Sequence, residues 1–345
     1  MSRGGRSAGG GRKVGAETIH IDDPDMLRRL AGPNDAHLAL IEDALEVDLA
    51  APGGAVTVHG EPAARDQAKR VIEALCDRLS KDELVGESEV RAALMYDAVP
   101  GGAPAGADDV IHVSPRKSFK GRTPMQGEYV RALNDPKAEL IFGVGPAGTG
   151  KTFLAVAQGA AALARRMVER LIIARPAVEA GEQLGFLPGD LYEKVDPYML
   201  PIWDALRETL GQETVEKRRA EGRIEVAPLA FMRGRTLSNA FVIVDEAQNA
   251  TVSQMLMVLT RLGEGSRMVV TGDPSQVDLK AGETSGLAHA LGVLDGVEGV
   301  RAIHFTRKDV VRHALVGRIV EAYEKDASPQ MTQKSRSDKD RGRKR

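Results

Sequence analysis

Apolar positions change their period along the chain, and the change divides it. Residues 18–21, 47–49 and 55–59 are short β-branched runs that read as strands, the last two joined by a Pro52-Gly53-Gly54 turn. Residues 23–30 and 36–45 carry helical stripes. So does the stretch after Pro62, whose stripe is Ala68, Val71, Ile72, Leu75, Cys76 and Leu79. The predicted order is βααββα. From residue 140 the pattern becomes continuous apolar runs: 140–144, 170–174, 224–227, 241–244, 267–270 and 301–305. Helix-favouring stretches lie between them, among them 153–166, a long region at about 192–220 with Trp203 in its core, 285–294, and a last helix at 309–323. Uninterrupted apolar strands alternating with helices predict an α/β fold, a mostly parallel sheet with helices on both faces.

At 345 residues the chain has room for about two domains. The expected division is a basic disordered tail at 1–16, a small α+β domain at 17–83, a linker at 84–109, a larger α/β domain at 110–325, and a second basic disordered tail at 326–345. The linker is read from Pro100-Gly101-Gly102-Ala103-Pro104-Ala105-Gly106. The basic stretch from Arg116 to Arg122 reads as solvated, with Phe119 stacking on a base as the competing reading. Net charge is −2, so the chain as a whole is no polycation, although both tails are basic. Cys76 is the sole cysteine and falls on a helical stripe, which predicts a packed thiol. No run is long enough to span a membrane and no secretory h-region is visible, so a cytoplasmic location is expected.

The chemistry centres on Gly145-Pro146-Ala147-Gly148-Thr149-Gly150-Lys151-Thr152, between an apolar strand and a helix. Gly, four residues, then Gly-Lys-Thr in that context is a phosphate-binding P-loop. Its glycines let backbone N–H groups close around phosphate oxygens, and the helix N-terminus adds partial positive charge. Lys151 is placed to reach the β- and γ-phosphates and Thr152 to hold Mg²⁺. The strand at 241–244 runs into Asp245-Glu246, an acidic strand end. There Asp245 would share Mg²⁺ and Glu246 would orient and deprotonate water. Gln276, after another strand end, is a candidate contact for the γ-phosphate. Gln126 is either an adenine reader or a surface residue, since an amide both donates and accepts. Residues 175–181 and 185–191 follow a strand end and are candidate polymer contacts.

Several motifs occur in a fixed order: Thr123-Pro124 with Gln126, the P-loop, Asp245-Glu246-Ala247-Gln248, Gly272-Asp273-Pro274 with Gln276, and Phe305, Arg307, Asp309-Val310-Val311-Arg312-His313. With Arg175-Pro176-Ala177-Val178-Glu179-Ala180-Gly181, the set resembles the PhoH family over about residues 17–325. Members are P-loop ATP-binding proteins related to the RecA-like motors of superfamily 1 helicases. The resemblance implies ATP and Mg²⁺ as cofactors, adenine readout by Gln126, and γ-phosphate sensing by Gln248 and Gln276. The front βααββα order resembles a type I KH domain, a single-stranded nucleic-acid module. Its clamp loop would be Gly32-Pro33-Asn34-Asp35, which lacks the second glycine and carries an acid.

The implied activity is an Mg-dependent ATPase acting on or bound to single-stranded RNA. The alternative is a nucleotide-controlled switch with slow hydrolysis and a protein or RNA partner. A small-molecule kinase is disfavoured by Gln248 and the residues 272–276. A lone RecA-like domain supplies no cation for the developing phosphate charge. A homo-oligomer, such as a hexameric ring, is therefore expected to bring one from a neighbour, with Arg233, Arg235, Arg307 and Arg312 as candidates.

Overall fold

The computed structural model describes residues 15–97, 109–115, 117–176, 191–280 and 282–311, with backbone alone for 191–198. The front region is β1 (Ala16–His20), α1 (Pro24–Ala31), α2 (Ala36–Leu45), β2 (Asp48–Ala50), β3 (Ala55–His59) and α3 (Pro62–Ser80). This is the βααββα order read from the pattern. Its strands pair antiparallel in the order β1-β3-β2. The stripe of α3 packs on Val56 and Val58, which are buried on one face of the small sheet. Cys76 is half-buried at the edge of this core, and burial raises its thiol pKa.

The expected linker is corrected in its first half. Residues Glu87–Asp97 form α4, with Val90, Ala92 and Tyr96 buried. Val90 joins the front core, and α4 packs on α2 and α3. Small residues and punctuators after residue 98 masked a short amphipathic helix before it. The Pro100 to Gly106 stretch lies outside the described residues. The basic stretch is also corrected: Val110–Ser114 (β4) and Lys117–Lys120 (β5) form an antiparallel hairpin. Phe119 packs edge-on against Phe153 with ring centroids 5.1 Å apart, so its ring belongs to an aromatic pair rather than to a solvated segment.

The larger domain continues with α5 (Pro124–Asn134), β6 (Leu140–Val144), α6 (Lys151–Ala164), β7 (Arg170–Arg175), α7 (Leu191–Leu210), α8 (Gln212–Ala220) and β8 (Ile224–Pro228). It ends in β9 (Ala240–Val244), α9 (Val252–Leu259), β10 (Arg267–Gly272), α10 (Gly286–Val293) and β11 (Val300–His304). The long helical region breaks at Gly211, whose φ of 83° is outside the helical range. Six strands form one parallel sheet in the order β11-β6-β10-β9-β7-β8. Strand periodicity sorts its side chains. Ile141, Leu171, Ile173, Phe241, Ile243 and Val269 face the core under α5, α6 and α7. Phe142, Ile172, Ala174, Val242, Val244 and Val270 face the core under α9 and α10. Both faces are covered, which is why the strands read as unbroken apolar runs.

Two features fix the frame around β6. Arg267, at the start of β10, donates to the carbonyls of Leu133 and Ala138 (2.9 Å each) and Asp135 (2.8 Å), closing the C-terminal end of α5. Gly159 lies where α6 crosses the sheet; a Cβ there would meet Leu171 at 2.6 Å and Phe241 at 2.9 Å. The predicted last helix begins differently: residues 307–309 form a 3₁₀ turn. Val310 and Val311 are not helical, and the residues from 312 onward, Arg312 and His313 among them, lie outside the described residues.

Candidate nucleotide site

The P-loop connects the C-terminal end of β6 to the N-terminus of α6. Gly145 has a φ of 143°, and a Cβ there would meet the carbonyl oxygen of Phe305 at 2.4 Å. Gly150 has a φ of 80° and is the N-cap of α6. The loop therefore closes only with glycine at these positions. Lys151 Nζ donates to the carbonyls of Gly145 and Pro146, both at 2.7 Å, and lies 3.3 Å from Thr149 Oγ1. The ammonium is folded into the loop and 7% exposed. Burial lowers its pKa, opposed by the charges of Asp273, Asp245 and Glu246.

Strand order brings the other candidates to this loop. β10 lies between β6 and β9, so its C-terminal end separates the P-loop from the acidic strand end. Thr152 Oγ1 donates to Asp245 Oδ1 at 2.7 Å, and Thr271 Oγ1 donates to the same oxygen at 2.8 Å. Two side chains read as metal ligands from distant parts of the sequence thus touch. Their hard oxygen donors are the kind that Mg²⁺ takes. Glu246 has a left-handed φ of 51°, an uncommon conformation for a non-glycine residue. Its Oε1 pairs with Arg175 at 3.0 Å, and its Oε2 accepts from Gln248 Nε2 at 2.6 Å. Ala147, Lys151, Thr152, Asp245, Glu246 and Gln276 line one cavity of about 260 Å³.

Asp273 is a functional candidate that sequence reasoning missed. Its Oδ2 accepts from the Ala147 backbone N–H at 3.2 Å and from Gln276 Nε2 at 2.6 Å. Its Oδ1 accepts from the Ser275 N–H and hydroxyl, at 2.9 and 2.6 Å. Burial opposes its charge, but the bonds from Ser275 and Gln276 and the charge of Lys151 outweigh that and hold the carboxyl below its ordinary range. A chain carboxylate thus takes a P-loop donor that a phosphate would use. Its place next to Gly272 at a strand end was the available signal.

The fit of ATP and Mg²⁺ is that of this donor set: glycine-built loop, buried ammonium, helix N-terminus and paired oxygen ligands.

The model of the PhoH-like protein family matches residues 118–324. The chain belongs to the PhoH family. It is 44% identical over 318 residues to the PhoH-like protein of Bacillus subtilis (strain 168), covering 88% of this chain and 96% of that protein. It is 44% identical over 326 residues to the PhoH-like protein of Mycobacterium tuberculosis (strain ATCC 25618 / H37Rv), covering 93% and 92%. To Protein PhoH of Escherichia coli (strain K12) it is 42% identical over 264 residues, covering 75% and 71%.

Of the other PhoH-family candidates, Gln126 and Gln248 are held by protein partners and Arg307 is exposed. Gln126 is buried with both ends of its amide engaged: Oε1 accepts from the Arg122 N–H at 2.7 Å, and Nε2 donates to the Thr149 carbonyl at 2.9 Å. It braces the P-loop, and reading adenine would require it to release those bonds. Gln248 is 1% exposed and joins Glu246 to Asp273, whose N–H it accepts at 3.0 Å. It contacts the acid, while Gln276 reaches the cavity itself. Arg307 is exposed on the turn after β11 and does not line the cavity.

Arg235 is paired through both nitrogens to Glu225, at 2.6 and 2.8 Å. Arg233 is exposed beyond β8. Arg175 was read as the start of a polymer-contact loop; its guanidinium instead faces Glu246. Residues 177–190 lie outside the described residues. In the front domain Gly32 and Asp35 have φ values of 74° and 57°. Asp35 therefore occupies the left-handed region, which glycine enters at less cost. Among the described residues no group of three or more His, Cys, Asp or Glu is arranged to hold a metal ion, and no helix is long and apolar enough to cross a membrane.

Proposed function

We propose that this chain is an Mg²⁺-dependent ATPase that acts on or is bound to single-stranded RNA, working as a homo-oligomer. The observation that carries the proposal is the 2.7 Å contact of Thr152 with Asp245, on the cavity that Lys151 and Glu246 also line. Bound Mg²⁺-ATP would supply the phosphoryl group and the charge that offsets it. Lys151 would turn from its loop carbonyls to the terminal phosphates. Thr152 and Asp245 would hold the metal, and Glu246 would take the proton of the attacking water.

The RNA part of the reading rests on the βααββα front unit and on the resemblance to superfamily 1 motors. The oligomer rests on an arginine count: among the described residues none lines the phosphate cavity. An arginine from a neighbour is worth about 10³–10⁵ in rate where one acts in trans. Exposed Arg233 is the candidate to test first.

A switch with slow hydrolysis is favoured by one specific observation. Both oxygens of Glu246 are held, by Arg175 and Gln248, so the base must be released before it can act.

The test is ATP hydrolysis with and without single-stranded RNA on protein of known oligomeric mass, with Lys151→Ala and Glu246→Gln as controls. RNA stimulation lost in both variants supports the motor. Slow turnover indifferent to RNA supports the switch. A fully active monomer refutes the neighbour's arginine.

A further inference from the structure

Two cavities meet at the P-loop. The phosphate cavity is one. The other, of about 840 Å³, shares Gly148, Gly150 and Phe153 with it and extends towards the front domain. Its size lies within the range of roughly 300–1,000 Å³ typical of small-molecule sites. The motor side contributes Gln126, Phe119 and Phe153; the front side contributes Glu83, Leu84 and Glu89. The front wall is held in place. Glu83 pairs with Lys120 of β5 and, at 3.3 Å, with Arg78 of α3. Tyr96 of α4 is buried and donates to the Gly121 carbonyl at 3.3 Å. Leu84 is 88% exposed and belongs to no core. Because Leu84 lines this cavity, a ligand that fills the cavity would cover it.

We propose that the nucleoside half of the bound nucleotide lies in this larger cavity, against Leu84 and the Phe119–Phe153 pair, so that the front domain forms one wall of the nucleotide site. The proposal rests on the nucleotide-binding reading above. A ligand whose phosphates sit at Lys151 reaches this space across the Gly148–Gly150 segment that both cavities share. The apolar wall suits the face of a base, and the carboxylates and backbone of the rim suit its polar edge. Gln126, braced between Arg122 and Thr149, is then a support beneath the base rather than its reader. Occupancy of the base end adds a contact to those already holding the front domain, so a bound nucleotide tightens that domain against the motor.

The test uses full-length protein and two probes, Mg²⁺-ADP and inorganic tripolyphosphate with Mg²⁺, titrated by calorimetry. Leu84→Asp is exposed enough to leave the fold intact, which a melting curve checks. ADP affinity should fall about fivefold or more from losing an apolar contact, with tripolyphosphate affinity unchanged. Hydrogen exchange should slow at residues 83–91 with ADP and not with tripolyphosphate. Equal loss for both probes, or unchanged ADP affinity with no front-domain protection, overturns the proposal. If wild-type protein binds ADP through Lys151 yet shows neither effect, this inference alone fails. If it binds no ADP at all, the underlying reading falls with it.

Discussion

Asp273→Asn should tighten nucleotide binding. The Asp273 carboxylate holds the Ala147 N–H at 3.2 Å. A phosphate that takes the same donor must displace that carboxylate or endure its charge. Asparagine keeps one acceptor oxygen, and the Ser275 pair, at 2.6 and 2.9 Å, is the better claimant for it. The amide NH₂ then faces Ala147, where two donors cannot bond. A hydrogen bond to a charged group contributes roughly 1.5–3 kcal/mol. At 3.2 Å this one is longer than the usual 2.7–2.9 Å of charge-assisted bonds, so the low end applies. The expected gain is about tenfold in affinity for a non-hydrolysable ATP analogue with Mg²⁺. Calorimetric titration of wild type and variant measures it, with melting curves as the check on folding. Unchanged or weaker binding in a folded variant would show that the carboxylate does not compete with phosphate.

Glu246→Gln should lower hydrolysis by about 10²–10⁴ while leaving ATP binding intact; parallel loss of binding would remove Glu246 from the role of base. Gly159→Val should destabilise the domain by roughly 1–3 kcal/mol through overpacking, since even a Cβ meets Leu171 and Phe241 below 3.0 Å; an unaltered melting temperature would contradict that packing. The Tyr129 hydroxyl is fully buried with no hydrogen-bond partner in the described structure. Tyr129→Phe should therefore hold or raise the melting temperature, by about 2–4 °C per kcal/mol regained, and a fall would reveal a hidden partner. Burial lowers the Lys151 pKa from 10.5, so its buried charge costs stability at neutral pH, and that cost is relieved as pH rises through the lowered pKa. Phosphate favours the charged ammonium, so nucleotide binding should take up a proton in the window just below 10.5. A binding enthalpy independent of the buffer's ionisation heat in that window would refute it.

Much of this could be read from local pattern. The parallel-sheet strands are legible because both faces are buried, which leaves unbroken apolar runs such as Leu140–Val144 and Ala240–Val244. The P-loop is legible because its function is carried by contiguous residues with a fixed spacing. The helix α4 was hidden by its neighbours: eleven residues with a weak stripe, next to a Pro- and Gly-rich stretch. Phe119 was misread because its partner, Phe153, lies beyond the P-loop in sequence.

The sequence by itself determined the sheet strands, most of the helices, their order, and the residue types suited to phosphate and metal. The tertiary structure alone decided their neighbours. Inserting β10 between β6 and β9 carried Asp273 to the P-loop and let Gln248 and Thr271 join the acidic pair. Local composition sets the conformation of a segment, whereas strand order is chosen by how the whole sheet buries its two faces. No stretch of sequence carries that choice alone.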